Sequence, residues 1–167
     1  MKSLNCNRGR FMTITYEKMR EKMESIKSER KNRFDFIQKS IRELVEAYKG
    51  SLYLPSKTWK GIDDEEYQYV TIGKMIDGEF SDQPIEPIEY HVVNIAIATV
   101  VDDTGRGGQS AICELEISTD RFAEELYVHV KGRNGRKVTI IDGDYREACD
   151  LIKDVSYSDI SGYDDFE

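Results

Sequence analysis

The carboxylates are the side chains with the most chemical reach in this sequence. Glu114 and Glu116 stand two apart in an alternating stretch, so they leave one strand face, and Asp102 precedes them across a short glycine-rich turn. Three such groups can hold Mg²⁺, which takes a few acidic ligands and keeps its waters, and a nuclease-like hydrolysis would follow. Other acid pairs (Asp63-Asp64, Asp142 with Asp144, Asp164-Asp165) read as turns. With 32 acidic against 24 basic residues and a net charge of −8, neighbouring carboxylates carry little specificity. A solvated acidic stripe is the plainer expectation for Glu114 and Glu116.

Other patterned chemistries find little support. His91 and His129 are the only histidines, and Cys6, Cys113 and Cys149 form no CxxC, so no zinc spacing exists. Gly105-Arg106-Gly107-Gly108 lacks the GK[ST] of a phosphate loop, and no GxSxG elbow occurs. No cofactor is expected.

Binding surfaces are better represented. Residues 131–137 read Lys131-Gly132-Arg133-Asn134-Gly135-Arg136-Lys137, four cations in seven positions. That cluster could meet phosphate, with Arg106 adding charge and Tyr127 and His129 offering stacking surfaces on the same strand. Trp59, the only tryptophan, suits an interface anchor. The segment Tyr163-Asp164-Asp165-Phe166-Glu167 joins acids to aromatics and could dock a ring in a pocket while its acids meet a basic rim. It is loosely similar to the acidic, phenylalanine-bearing tails of single-stranded-DNA-binding proteins. It departs from them in ending on Glu167 and in lacking a proline before Phe166, so no function is carried over.

The elements that must position these groups follow from periodicity. Over residues 15–49, Tyr16, Met19, Met23, Ile26, Phe34, Ile37, Ile41, Leu44 and Tyr48 recur at helical steps. Thr15 suits the N-cap and Gly50 the residue after the C-cap. The polar run at residues 27–33 offers no core residue, so the segment is either one projecting helix or two helices meeting at a bend near Asn32. A projecting apolar stripe needs a partner, which points to a dimer or a protein complex, with a homodimer expected.

A short strand is expected near residues 51–54. Period-two alternation follows from Tyr67 to Ile76 and ends at the turn pair Asp77-Gly78. Residues 92–101, apolar on both faces, suit the central strand, and 111–118 alternate strictly. Residues 126–130 and 137–141 form a hairpin in which Asn134-Gly135 predicts a two-residue turn, setting Arg133 against Arg136 and His129 against Ile140. Asp144 caps a helix expected to reach about Val155.

The fold class is thus α+β: a long N-terminal helix, an antiparallel sheet of four to five strands and a short C-terminal helix. Residues 1–12 read as a leader, 13–155 as one domain and 156–167 as an acidic disordered tail.

Length and charge set the outer bounds. The 167 residues suit one domain. No apolar run approaches the ~20 residues of a membrane span, and the N-terminus shows no secretory pattern. With an odd cysteine count, the expected compartment is the cytoplasm. Net charge is +6 over residues 1–50, −7 over 51–141 and −7 over 142–167.

Three readings remain, in order. The first is a non-enzymatic protein-binding protein of inhibitor, immunity or adaptor type, meeting a basic surface. The second is a nucleic-acid-binding accessory protein using the basic hairpin tip and the sheet face. The third is a Mg²⁺-dependent hydrolase.

Overall fold

A computed structural model describes residues 13–86 and 91–161. Helix α1 (Tyr16–Ser51) is one continuous helix of 36 residues, without a bend at Asn32. Residues 27–33 lack core groups, but they also lack Gly and Pro, and their Lys, Arg and Glu are good helix formers. The Thr15 hydroxyl caps α1 by accepting from the Lys18 amide at 3.3 Å. The expected stop at Gly50 and strand near 51–54 are corrected: Gly50 lies inside α1, Leu52 is its C-cap, and a turn follows.

Next come β1 (Thr58–Lys60), β2 (Glu66–Gln68), β3 (Val70–Ile76), β4 (Glu79–Ser81), β5 (Val92–Val100), β6 (Ser110–Thr119), β7 (Leu126–Val130), β8 (Lys137–Ile140) and helix α2 (Arg146–Ser161). Strands β1 and β2 form a separate hairpin, and the other six form an antiparallel sheet ordered β4-β3-β5-β6-β7-β8. The sheet exceeds the four to five strands expected because the Asp77-Gly78 turn returns a short edge strand, β4. Both turn residues have positive φ, 51° and 85°.

Both helices lie on one sheet face. Val93, Ile95 and Ile97 of β5 oppose Ile117, Leu115 and Cys113 of β6, and Val128 and Val130 continue the layer on β7. Ile37, Ile41, Leu44, Val45 and Tyr48 of α1 pack there, with Ala148, Leu151, Ile152 and Val155 of α2. The Tyr48 hydroxyl bonds the Thr99 hydroxyl at 3.0 Å, fixing α1 against β5. The opposite face carries Ala96, Ala98, Glu114, Glu116, Tyr127, His129 and Lys137 in register. The fully buried residues of α1 lie at or beyond Ile37, with Phe34 and Phe36 packed partly against the core, so the turns before Arg33 project from the body.

Two further expectations change. His129 opposes Lys137 rather than Ile140, and Val128 opposes Val138. The two-residue turn would have set outward His129 against inward Ile140. Burial keeps Leu126 and Val128 over Ile140 and Val138, and the chain takes a longer loop, 131–136, closed by Gly135 N–H to the Gly132 carbonyl at 3.0 Å. Residues 156–161 are not a disordered tail. Helix α2 continues through Ser161, with Ser156 buried and the Ser158 and Ser161 hydroxyls bonding back to Asp154 and Tyr157 carbonyls. Tyr163, Asp164, Asp165 and Phe166 lie outside the described residues. Among the described residues no helix is long and apolar enough to cross a membrane.

Candidate partner-binding cleft

The β1–β2 hairpin places Trp59 directly opposite Tyr67, and their rings meet at 5.4 Å between centroids with a 34° tilt. Its turn is tightly built. Gly61 N–H donates to the Glu65 carbonyl at 3.0 Å, and Asp64 takes a positive φ of 64°. A Cβ at Gly61 would run into Asp63 and the Tyr67 ring, so glycine lets the turn close under the aromatic pair. The Tyr67 hydroxyl donates to the Asp63 carboxylate at 2.5 Å, and the Glu65 amide donates to the same carboxylate at 3.1 Å.

The other wall is the β5–β6 loop. Asp102 accepts from the Thr104 amide and hydroxyl at 3.1 and 2.8 Å, and Gly108 N–H donates to the Asp102 carbonyl at 2.7 Å. Gly108, at φ +91°, sits against the Trp59 ring. The Tyr69 hydroxyl donates to Asp103 at 2.7 Å and ties this loop to the start of β3.

Between hairpin and loop lies a cleft of about 380 Å³, lined by Trp59, Ile62, Asp63, Tyr67, Arg106 and the flanking glycine backbone. Ile62 is 82% exposed at its mouth. The Trp59 Nε1–H is buried without an acceptor. Asp63 lines the opening and Asp102 lies against the Gly107 backbone, while Lys60 is paired to Asp64 at 3.1 Å.

Hydrogen bonding tunes the rim. The Tyr67 hydroxyl, then the Glu65 amide, hold the Asp63 carboxyl below its ordinary value of 3.8. Asp63 in turn raises Tyr67 above 10.0. A carboxylate depressed in the folded state stabilises above its unfolded pKa and loses that contribution as pH falls through its folded pKa. Emission of Trp59, the sole indole, is therefore expected to hold steady from pH 8 to about 5 and to change only below 3.8, as Asp63 takes a proton. A midpoint near neutrality would remove Asp63 as the group that shapes the cleft.

The basic tip is largely committed elsewhere. Arg136 Nη2 meets Glu147 Oε1 at 2.8 Å, and Lys137 Nζ lies 4.2 Å above the Tyr127 ring, whose hydroxyl donates to Glu125. Lys131 is half-buried and its amide donates to the Glu114 carbonyl at 2.9 Å, while Arg133 is exposed. His129 lies half-buried between Glu116 and Lys137 in register.

The proposed carboxylate triad is not assembled. Val100 pairs with Ser110, so Asp102 lies past that end of the sheet, while Glu114 stands four residues further along β6, roughly 13 Å away along the strand. Asp102 is turned toward Thr104. Among the described residues, no group of three or more His, Cys, Asp or Glu is placed to hold a metal ion. Asp102 thus stands apart from Glu114 and Glu116.

The structure instead joins Trp59 and Arg106, which the sequence assigned to different functions. Tyr67, Ile62 and Asp63 were missed. Their signal was an aromatic on each side of a Gly-Ile-Asp-Asp-Glu-Glu turn. No family model matches the chain, and neither does any curated protein or solved structure compared with it.

Proposed function

We propose that this chain is a non-enzymatic binding protein of inhibitor, immunity or adaptor type that receives a basic surface of another protein in the Trp59 cleft. The observation that carries this reading is the Trp59–Tyr67 pair, open at Ile62, with the Asp63 carboxylate and Arg106 in the same lining. Trp, Tyr and Arg dominate interface hot spots, and here all three line one concavity. The net charge of −8 steers a cationic partner toward it. The reading includes a homodimer formed through the projecting half of α1. It also includes a cytoplasmic setting, where the buried free thiols of Cys113 and Cys149 stay reduced.

The test is capture of the partner from host lysate by wild type, Trp59→Ala and Ile62→Asp. Wild type is expected to retain one stoichiometric protein that leaves as salt rises to about 0.5 M, beyond the range of surface charge attraction. Each variant is expected to bind at least ~30-fold more weakly, the ~2 kcal/mol of a hot spot. Ile62 is exposed, so its replacement leaves the fold intact. A partner held equally by Ile62→Asp would place the interface elsewhere. Recovery of nucleic acid in place of a protein would overturn the reading in favour of the basic tip, where Arg133 is exposed.

A further inference from the structure

The projecting half of α1 carries an apolar stripe that is mostly open to solvent among the described residues. Tyr16, Met19 and Met23 are 77%, 55% and 51% exposed, and with the half-buried Ile26 they step by three, four and three residues. That is the a/d spacing of a coiled coil. The same heptad runs on through Arg30 and Arg33 to Ile37, Ser40 and Leu44, which are buried against the body. Arg33 already touches the body, its Nη1 donating to the Arg121 carbonyl at 3.4 Å. The projecting part, in which Ile26 and Arg30 are already half-buried, is therefore about 17 residues, or ~26 Å of helix. A helix of that length is marginal in water without tertiary packing.

We infer that this segment pairs with the same segment of a second copy, antiparallel and in one register. The inference rests on the homodimer reading above and specifies its geometry. With Met19 opposite the partner's Met23, Tyr16 falls opposite the partner's Ile26. The two-fold axis repeats both pairs, so four consecutive layers are apolar. Sliding by one heptad either way keeps only two apolar layers among the described residues.

Parallel pairing also gives four apolar layers, but its next two set Arg30 and Arg33 against their own copies and crowd both bodies at one end. The antiparallel register places the two Arg30 residues ~27 Å apart along the axis and sends the bodies to opposite ends. The partner's Thr13 then comes opposite residue 29, short of the body, so the overlap fits the projection.

Four layers bury on the order of 1,000 Å², the low end for a specific interface, so self-association in the micromolar range is expected. Lys22, at g, flanks the two-fold axis near its own copy, whereas Arg20, at e, is already paired with Glu24 at 3.3 Å. Added salt should therefore strengthen this pairing, the opposite of its effect on a basic partner in the Trp59 cleft.

The test uses the full chain with Cys6→Ser. Sedimentation equilibrium should show a dimer at about 100 µM, well above a micromolar dissociation constant. Met19→Glu with Met23→Glu should weaken it at least ~100-fold while leaving the protection of the Cys113 thiol in the body unchanged, since neither residue supports the core. Spin labels at Glu21→Cys and Ser28→Cys then read the geometry, because both occupy the f position.

In the antiparallel register the 28–28 separation exceeds the 21–21 separation, with ~21 Å of axial offset. Equal separations would overturn the register while leaving the homodimer standing. A monomer at 100 µM, or a dimer untouched by the double glutamate variant, would overturn both.

Discussion

Leu115→Ala is expected to lower stability by about 3–4 kcal/mol, a large share of the total for a domain this size. Leu115 is fully buried on β6, one of the two central strands. Ile95 and Val130 stand opposite it on β5 and β7, beneath the layer that both helices cover. Truncation leaves a cavity that these neighbours can only partly close, which adds to the lost burial. The urea midpoint should fall by about 1–2 M at unchanged slope. Leu115→Met, which keeps the volume, should cost less than ~1.5 kcal/mol.

Cys113, two residues away on the same face, gives a second readout. Burial pushes its thiol up to about 12, so in the folded protein it is neither ionised nor reachable near neutral pH. Its alkylation tracks opening of the core, and Leu115→Ala should speed it by ~100-fold or more. An alanine variant as stable and as slow to label as wild type would mean that β6 is not the centre of this core.

Gly73→Ala is expected to reverse the usual sign of its substitution. In a strand interior, replacing glycine by alanine ordinarily stabilises by roughly 0.5–1 kcal/mol, because the unfolded chain loses freedom. Gly73 sits on β3 opposite Ala96, on the face away from the helices. A Cβ there would run into the Ser81 carbonyl and come within 2.9 Å of the Phe80 ring. The obstacle is backbone, so it cannot yield by rotating a side chain. A loss of about 2 kcal/mol or more is expected, with β4 displaced from the edge. Amide exchange should speed up through Lys74, Met75 and Ile76, the residues paired to β4, while the β6–β7 pairing stays protected. A stabilised variant would show that β4 does not cross Gly73 as drawn.

The parts of this protein legible in its sequence are those that a few consecutive residues specify. A helix stripe repeats every three or four positions, so α1 and the start of α2 could be read from Tyr16, Met19, Met23, Ile37 and Leu44, and from Ala148, Leu151 and Ile152. A half-buried strand alternates, so Ala111, Cys113, Leu115 and Ile117 marked the buried side of β6 and Glu114 and Glu116 the other. The projection of α1 was legible as well, because its stripe runs past any core that a domain of this length can offer.

Where two local signals compete, the chain's overall packing chose. Asn134-Gly135 asked for a tight turn, but burying Val128 with Val138 set the register. Residues 156–161 looked too polar to order, but Ser156 packs against the sheet and carries the helix onward.

The candidate site belonged almost wholly to this second class. Trp59 and Arg106 are 47 positions apart, and Tyr67 is separated from Arg106 by three strands. No spacing rule links them; the β1–β2 hairpin meets the β5–β6 loop only once β3 and β5 are paired, with Gly108 and Tyr69 holding the contact. Local periodicity follows from backbone geometry and is written in the residue order. Which distant groups share a cleft, and which surface stays uncovered, depends on how strands pair and loops close, and that is decided only when the whole core forms.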